Sequence, residues 1–236
     1  MEILGIIGAM AVEVEALKNK MKGLTVSEYA GMTFYEGNLS GQQAVVVECG
    51  IGKVNSALCV QVLCDRFGVK GIVNTGIAGS LCNDLDIGDL VISTDAMYHD
   101  FTCQDLHPDY AVGQIPGFPV LSFPADEGLQ RLACQAARTV QEGAVQQGRI
   151  ASGDQFVGDR VRKEKIVADT GALCTEMEGA AIAHAAWRNQ VPFVIIRAIS
   201  DKADNSAEMD YPSFEALAAA RCAAVTEKLA QILAGA

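Results

Sequence analysis

The chain has 236 residues, 50% of them apolar and 20% charged, with 23 glycines and a formal net charge of -11. That length suits one large unit with a substantial core, and the excess of carboxylates argues against nucleic acid or an anionic membrane as a partner. Eight cysteines without a C-x-x-C pair and only three histidines point to buried, reduced thiols, not to a disulfide framework or a His-rich metal site.

In chain order, Met1-Glu2 leads directly into an apolar strand at 3–8 with no basic leader, and no apolar stretch of about 18 residues follows, so neither export nor a membrane span is expected. Gly8-Ala9-Met10 turns into a helix carrying Glu13 and Glu15. Acidic residues suit the positive end of a helix dipole. If that turn lies at the carboxyl end of a strand, where open α/β sheets bind ligands, Glu13 also stands close enough to act as a base.

A hairpin is expected from 32–37 and 43–49, and Gly50-Ile51-Gly52-Lys53 then opens a helix over 54–67. The turn lacks the third glycine of G-x-G-x-x-G, and Lys53 precedes Val54 instead of Ser or Thr, so neither nucleotide-phosphate fingerprint applies. Two readings stay open: a tight turn that brings backbone to a ligand, or one that only lets the helix pack. The next buried strand is 71–74, running into the small residues 75–80, and another strand covers 89–95. Regularity is lost over 98–125, where Pro108, Pro116, Pro119 and Pro124 fall, and so long a loop forms a lid, an interface or part of a site. An amphipathic helix at 125–142 and a strand at 147–153 lead to Phe156, which either stacks on a planar ligand or joins the core. A charged helix covers 160–169, and beyond the next stretch a polar loop at 206–212 precedes a closing helix at 213–233.

The densest chemistry lies in ALCTEMEGAAIAHAAWRNQVPFVIIRAISDKAD, residues 172–204. A short strand at 172–175 delivers Glu176, Met177 and Glu178 to the mouth of an alanine-rich helix. The unbroken apolar run 193–196, typical of a strand covered on both faces, ends in Arg197, Ser200, Asp201 and Asp204. Glu178 and Asp201 are thus two carboxylates aimed from neighbouring strand ends at one crevice. Strands alternating with helices give an α/β fold, and the hairpin makes the sheet mixed.

Six motifs in this order, Gly5-Ile6-Ile7-Gly8-Ala9-Met10 with Glu13, Gly50-Ile51-Gly52-Lys53-Val54, Asn74-Thr75-Gly76, Ser152-Gly153-Asp154, Glu176-Met177-Glu178 and Arg197-Ala198-Ile199-Ser200-Asp201, resemble those of bacterial 5'-methylthioadenosine/S-adenosylhomocysteine nucleosidases. The resemblance implies a single-domain three-layer sandwich over 1–236, nucleoside phosphorylase-like, forming a cytoplasmic homodimer. It implies hydrolysis of the bond between adenine and a 5'-thio-substituted ribose without metal or cofactor, in methionine salvage and the recycling of S-adenosylmethionine by-products. Cleavage of an N-glycosidic bond leaves positive charge on the sugar and negative charge on the base, so an acid and an activated water are needed. By the resemblance Asp201 protonates adenine N7, Ser200 orients it, Glu13 activates water, Glu178 grips the ribose hydroxyls, and Arg197 either helps hold the water or makes a structural ion pair. Substrate contacts are implied for Met10, Ile51, Ala78, Gly79, Phe156, Val157, Glu176, Met177 and Phe214, with Cys103 near the 5'-thio end. Ile77 stands where known members carry Ser or Thr. Phosphorolysis by a purine nucleoside phosphorylase is the nearest rival reading, but those relatives carry an arginine where this chain has Asn74, and a carboxylate at Glu13 repels phosphate. The same motifs also fit a nucleosidase acting on aminofutalosine, and the fold by itself fits a nucleoside-binding module without catalysis.

Overall fold

The computed structural model describes residues 3–140 and 143–235; Met1-Glu2 and the 141–142 end of the expected amphipathic helix lie outside them. Strand β1 (Leu4–Gly8) is buried at every position because it has neighbours on both sides, pairing in parallel with β4 (Gln42–Glu48) and with β5 (Gly71–Ser80). Beyond β4 lie β3 (Met32–Leu39) and an outer strand β2 (Lys22–Tyr29), both antiparallel. On the other side of β5 follow β9 (Cys174–Glu176), β8 (Val145–Ser152), β6 (Leu90–Tyr98) and β10 (Phe193–Asp201). Because β10 also pairs back onto β5, these five strands close into a ring, and the mixed sheet is curled at one end. A short β7 (Phe123–Pro124) pairs with β6.

Helices cover both faces, as a three-layer α/β arrangement requires. On one side α1 (Ala11–Lys18), α3 (Glu127–Val140) and α6 (Ala207–Ala234) share an apolar cluster with Val73, Val194 and Ile196. On the other, α2 (Lys53–Val62), which continues as a wider π-type turn at Leu63–Phe67, and α5 (Gly179–Arg188) pack over Ile7, Ile72 and Ile195. Helix α4 (Arg160–Thr170) joins β8 to β9. No helix among the described residues is long and apolar enough to cross a membrane.

Four elements differ from expectation. The strand expected at 71–74 is longer: β5 continues unbroken through 75–80, paired with β10 as far as Gly79 and with β9 at Gly79 and Ser80. Strand β10 likewise runs past the apolar run 193–196 to Asp201, so that Arg197, Ser200 and Asp201 all lie within it. Strand β2 extends the expected hairpin by a third strand, although Leu24-Thr25-Val26-Ser27 alternates and Ala30 and Gly31 both take the positive φ that closes a tight hairpin. Finally, 207–212 is helical instead of loop. Pro212 lies inside α6, where the ring usually interrupts a helix, and the start is secured by Asp204, whose Oδ1 accepts from the Ser206 N–H and hydroxyl. The irregular segment 99–122 packs Phe101, Ile115, Phe118 and Val120 against the apolar cluster on the α2 and α5 side, where Phe118 meets His184 and Trp187 of α5.

Candidate active site

The expected residues converge at the carboxyl ends of β1, β5, β9 and β10. There they surround a largely apolar cavity of about 310 Å³, within the range of small-molecule sites. Thr175 and Asp201 flank Gly79 of β5 from opposite sides, so the strands carrying Glu178 and Asp201 are neighbours of β5 and not, as expected, of each other. This makes β5 the floor between the two carboxylates. A Cβ on Gly76 would collide with the Glu13 carboxyl and the Arg197 guanidinium, and one on Gly79 would meet Asp201 Oδ1 at 2.9 Å. Three residues of strand separate them, about 10 Å.

Glu13 lies in the first turn of α1 and lines the cavity. It reaches back over the start of α1, where its Oε2 accepts from the N–H groups of Ala9 (2.7 Å) and Met10 (3.1 Å), while its Oε1 accepts from the Ile77 N–H at 3.1 Å. Burial raises its pKa above the ordinary carboxylate value, against the opposing pull of Arg197 and of these N–H donors. Ile77 brings no hydroxyl here, and its main chain contacts the carboxylate directly. Glu15, by contrast, is a surface residue paired with Lys18 at 2.7 Å.

At the other end, Asp201 Oδ2 accepts from the Ser200 hydroxyl at 2.8 Å and its Oδ1 from the Ala203 N–H at 2.8 Å. Burial nonetheless raises its pKa, which favours the protonated acid. Glu178 accepts from the Gly52 N–H at 3.0 Å, and burial together with the nearby Glu176 pushes its pKa up to about 8. Beneath them lies Arg197, almost wholly buried. Its Nη2 donates to Asn74 Oδ1 at 2.6 Å and is ion-paired with Glu176, with Glu178 Oε2 3.9 Å away. Its own burial opposes the charge, but Glu176, Glu13 and Glu178 hold its pKa above the usual guanidinium value.

Glu176 edges the cavity, yet its oxygens are occupied by Arg197, the Ser152 hydroxyl and the N–H groups of Glu178 and Gly179. That arrangement fixes the turn which presents Met177 and Glu178. Met10, Ile51, Ala78, Gly79, Phe156, Val157, Met177 and Ser200 all line the cavity, as expected. Arg197, Phe214 and Cys103 do not line it. Tyr211, one helical turn before Phe214, takes the expected aromatic place, its ring edge-on to Phe156 at 5.6 Å and its hydroxyl on Glu215 at 3.1 Å. Phe214 is the first aromatic of the closing helix only if residues 207–212 are loop; once they are helical, Tyr211 comes first. Ala9, Gln155 and Thr175, which were not among the expected contacts, also line the cavity; Ala9 lies within the first motif, and the other two are polar residues beside motif positions.

Known proteins resemble this chain over nearly its whole length. Residues 3–231 match the model of the phosphorylase superfamily. A 5'-methylthioadenosine/S-adenosylhomocysteine nucleosidase of Staphylococcus aureus (strain JH9) is 39% identical over 228 residues, covering 96% of this chain and 98% of the relative. The crystal structure of such a nucleosidase from Neisseria meningitidis, in complex with methylthio-immucillin-A, superposes with a TM-score of 0.94 at 36% identity, covering 98% of this chain and 100% of that one. Futalosine hydrolase of Helicobacter pylori strain 26695 superposes with a TM-score of 0.91 at 32% identity, with 97% of each chain covered. Fold and site together define an enzyme of the phosphorylase superfamily, a nucleosidase that acts as an N-glycosyl hydrolase. Within that superfamily the chain belongs to the 5'-methylthioadenosine/S-adenosylhomocysteine nucleosidase family.

Proposed function

We propose that the protein hydrolyses the N-glycosidic bond of 5'-methylthioadenosine and S-adenosylhomocysteine, and also of 5'-deoxyadenosine, releasing adenine and the remaining sugar. It thereby serves methionine salvage and the recycling of S-adenosylmethionine by-products. The observation that carries this reading is the composition of the cavity wall. Glu13, Glu176, Glu178 and Asp201 line it, and among the described residues no Lys, Arg or His does. A developing cationic sugar is favoured there and a phosphate nucleophile is repelled, so water attacks.

In the proposed reaction Asp201 gives its proton to adenine N7 as the bond from N9 to C1' breaks and its electron pair leaves with the base. Water adds to C1' and its proton passes to Glu13, whose three N–H contacts hold it in place. Glu178 holds the ribose hydroxyls, an interaction that strengthens as the ring becomes cationic. Phe156 covers the purine face, and its 49% exposure leaves the ring free to meet a ligand. Proton transfer and water addition need no metal or cofactor. The enzyme works in the cytoplasm as a homodimer on this reading. The apolar outer side of α2, with Val54 71% and Leu58 48% exposed, supports a second copy covering that face. The likeness to futalosine hydrolase supports aminofutalosine-type nucleosides as further substrates.

The test is adenine release from methylthioadenosine by the purified protein. Removing phosphate leaves the rate unchanged; strict phosphate dependence would make the enzyme a phosphorylase. Asp201→Asn, which cannot donate an acid proton, lowers turnover by about 10² to 10⁴-fold while the nucleoside still binds. Glu13→Gln loses activity on a similar scale, and wild-type turnover in either variant removes that residue from its role.

A further inference from the structure

The turn Gly50-Ile51-Gly52-Lys53 carries no phosphate fingerprint, yet its main chain ends on a catalytic-site carboxylate. Gly52 has φ 99°, in the left-handed region that favours glycine, and in this conformation its N–H meets Glu178 Oε1 at 3.0 Å. What holds the turn there is a set of charges outside the cavity. The Lys53 ammonium donates to Asp100 Oδ2 at 2.6 Å, with Asp154 Oδ2 3.6 Å away, and stands 5.4 Å over the Tyr98 ring. The Lys53 N–H donates to Asp154 Oδ1 at 2.9 Å, and the Asp154 N–H returns to the same Asp100 Oδ2 at 2.9 Å. Asp100 follows the end of β6, Asp154 follows the end of β8, and Lys53 begins α2, so three separate segments are tied by one ammonium. The Lys53 and Asp100 side chains are 25% and 11% exposed, which spares their pair much of the screening that weakens surface ion pairs.

We propose that Lys53 is a positioning residue for Glu178: bridged to Asp100 and Asp154, it keeps the 50–53 turn where the Gly52 N–H binds the Glu178 carboxylate. The proposal rests on the reading of Glu178 as the group that holds the ribose. Glu178 is faced by Glu176 beside it in the chain, by Arg197 from β10, by Glu13 from α1 and by Cys49 from the end of β4. Of these only Arg197 favours its ionised form, and the Gly52 N–H is the other contact that does so. Loosening the turn therefore moves Glu178 toward its protonated state.

Steady-state kinetics on methylthioadenosine, with a pH profile, tests this. Lys53→Met lowers kcat/KM about tenfold, part of the worth of one charge-assisted hydrogen bond, and mainly through kcat, because the ribose contact strengthens in the transition state. Lys53→Arg retains most of the activity. The ascending limb of the kcat/KM profile moves to higher pH in Lys53→Met and also in Asp100→Asn. The second variant is decisive, since removing a negative charge would by Coulomb effect alone move that limb to lower pH. In Glu178→Gln, adding Lys53→Met causes no further loss. Wild-type kinetics in both clamp variants, losses that add to those of Glu178→Gln, or a downward shift in Asp100→Asn each overturn the proposal. A wild-type protein that releases no adenine would instead refute the proposed function. The clamp is then judged by crystal structures: separation of Gly52 N from Glu178 in Lys53→Met supports it, and an unchanged contact overturns it.

Discussion

Glu13, Glu176 and Glu178 surround a single buried guanidinium, that of Arg197, so three potential negative charges share one positive one in a buried site. Burial raises the pKa values of Glu13 and Glu178, which eases the crowding of negative charge around Arg197. Stability then depends on pH. Glu178 is lifted from an ordinary 4.5 to about 8, so the folded state keeps a proton that the unfolded chain gives up. The resulting stabilisation is full below the unfolded value and is lost as pH rises through the folded one. Between about pH 6 and about pH 8 the wild type should lose on the order of 2 kcal/mol from this group, and Glu178→Gln should flatten that dependence. Urea denaturation at several pH values measures it, and equal slopes in the two proteins would show that Glu178 is ionised throughout. All these residues were legible as chemistry in the sequence. That Glu176 is saturated by Ser152, Arg197 and two adjacent N–H groups, whereas Glu178 is held through a remote turn, was not, because these partners lie as far as 126 positions away.

Among the elements, β5 shows most clearly how context overrides local preference. Thr75-Gly76-Ile77-Ala78-Gly79-Ser80 has the small, flexible composition of a turn, yet β10 beside Thr75 to Gly79 and β9 beside Gly79 and Ser80 keep it extended, and it is wholly buried. The small residues are needed because the side chains of Glu13 from α1 and of Arg197 and Asp201 from β10 lie across it. Gly76→Ala should therefore cost about 2 kcal/mol through overpacking against Glu13 and Arg197, and should lower activity more than a distant mutation of equal cost. Denaturant midpoint and adenine release, measured together, check this; unchanged values of both would mean that the strand yields freely. At the start of α6 the misleading signal was Pro212. Proline usually precedes or opens a helix, but here the segment before it is already helical and brings Tyr211 to the cavity.

For the molecule as a whole, one sheet contains all ten strands of the described residues, and β5 with β10 separates the two large apolar clusters. With the ring β5, β9, β8, β6, β10 closed on itself, we expect the chain to unfold as one unit. The sole tryptophan, Trp187, packs on Phe118 and Phe123 and reports on one cluster only. Its fluorescence and the far-ultraviolet circular dichroism should nevertheless change together in denaturant. Separated transitions would divide the chain into independently folding parts.

By itself the sequence determined the alternation of strands and helices, the mixed sheet and nearly all of the groups that carry charge at the site, because apolar periodicity and residue chemistry are local properties. Only the tertiary structure decided that 75–80 is strand, that Tyr211 and not Phe214 meets the cavity, and that Lys53 faces two aspartates from other strand ends. Each of these depends on pairing or contact between segments far apart in the chain, and such partners leave no periodic trace in the residues on either side.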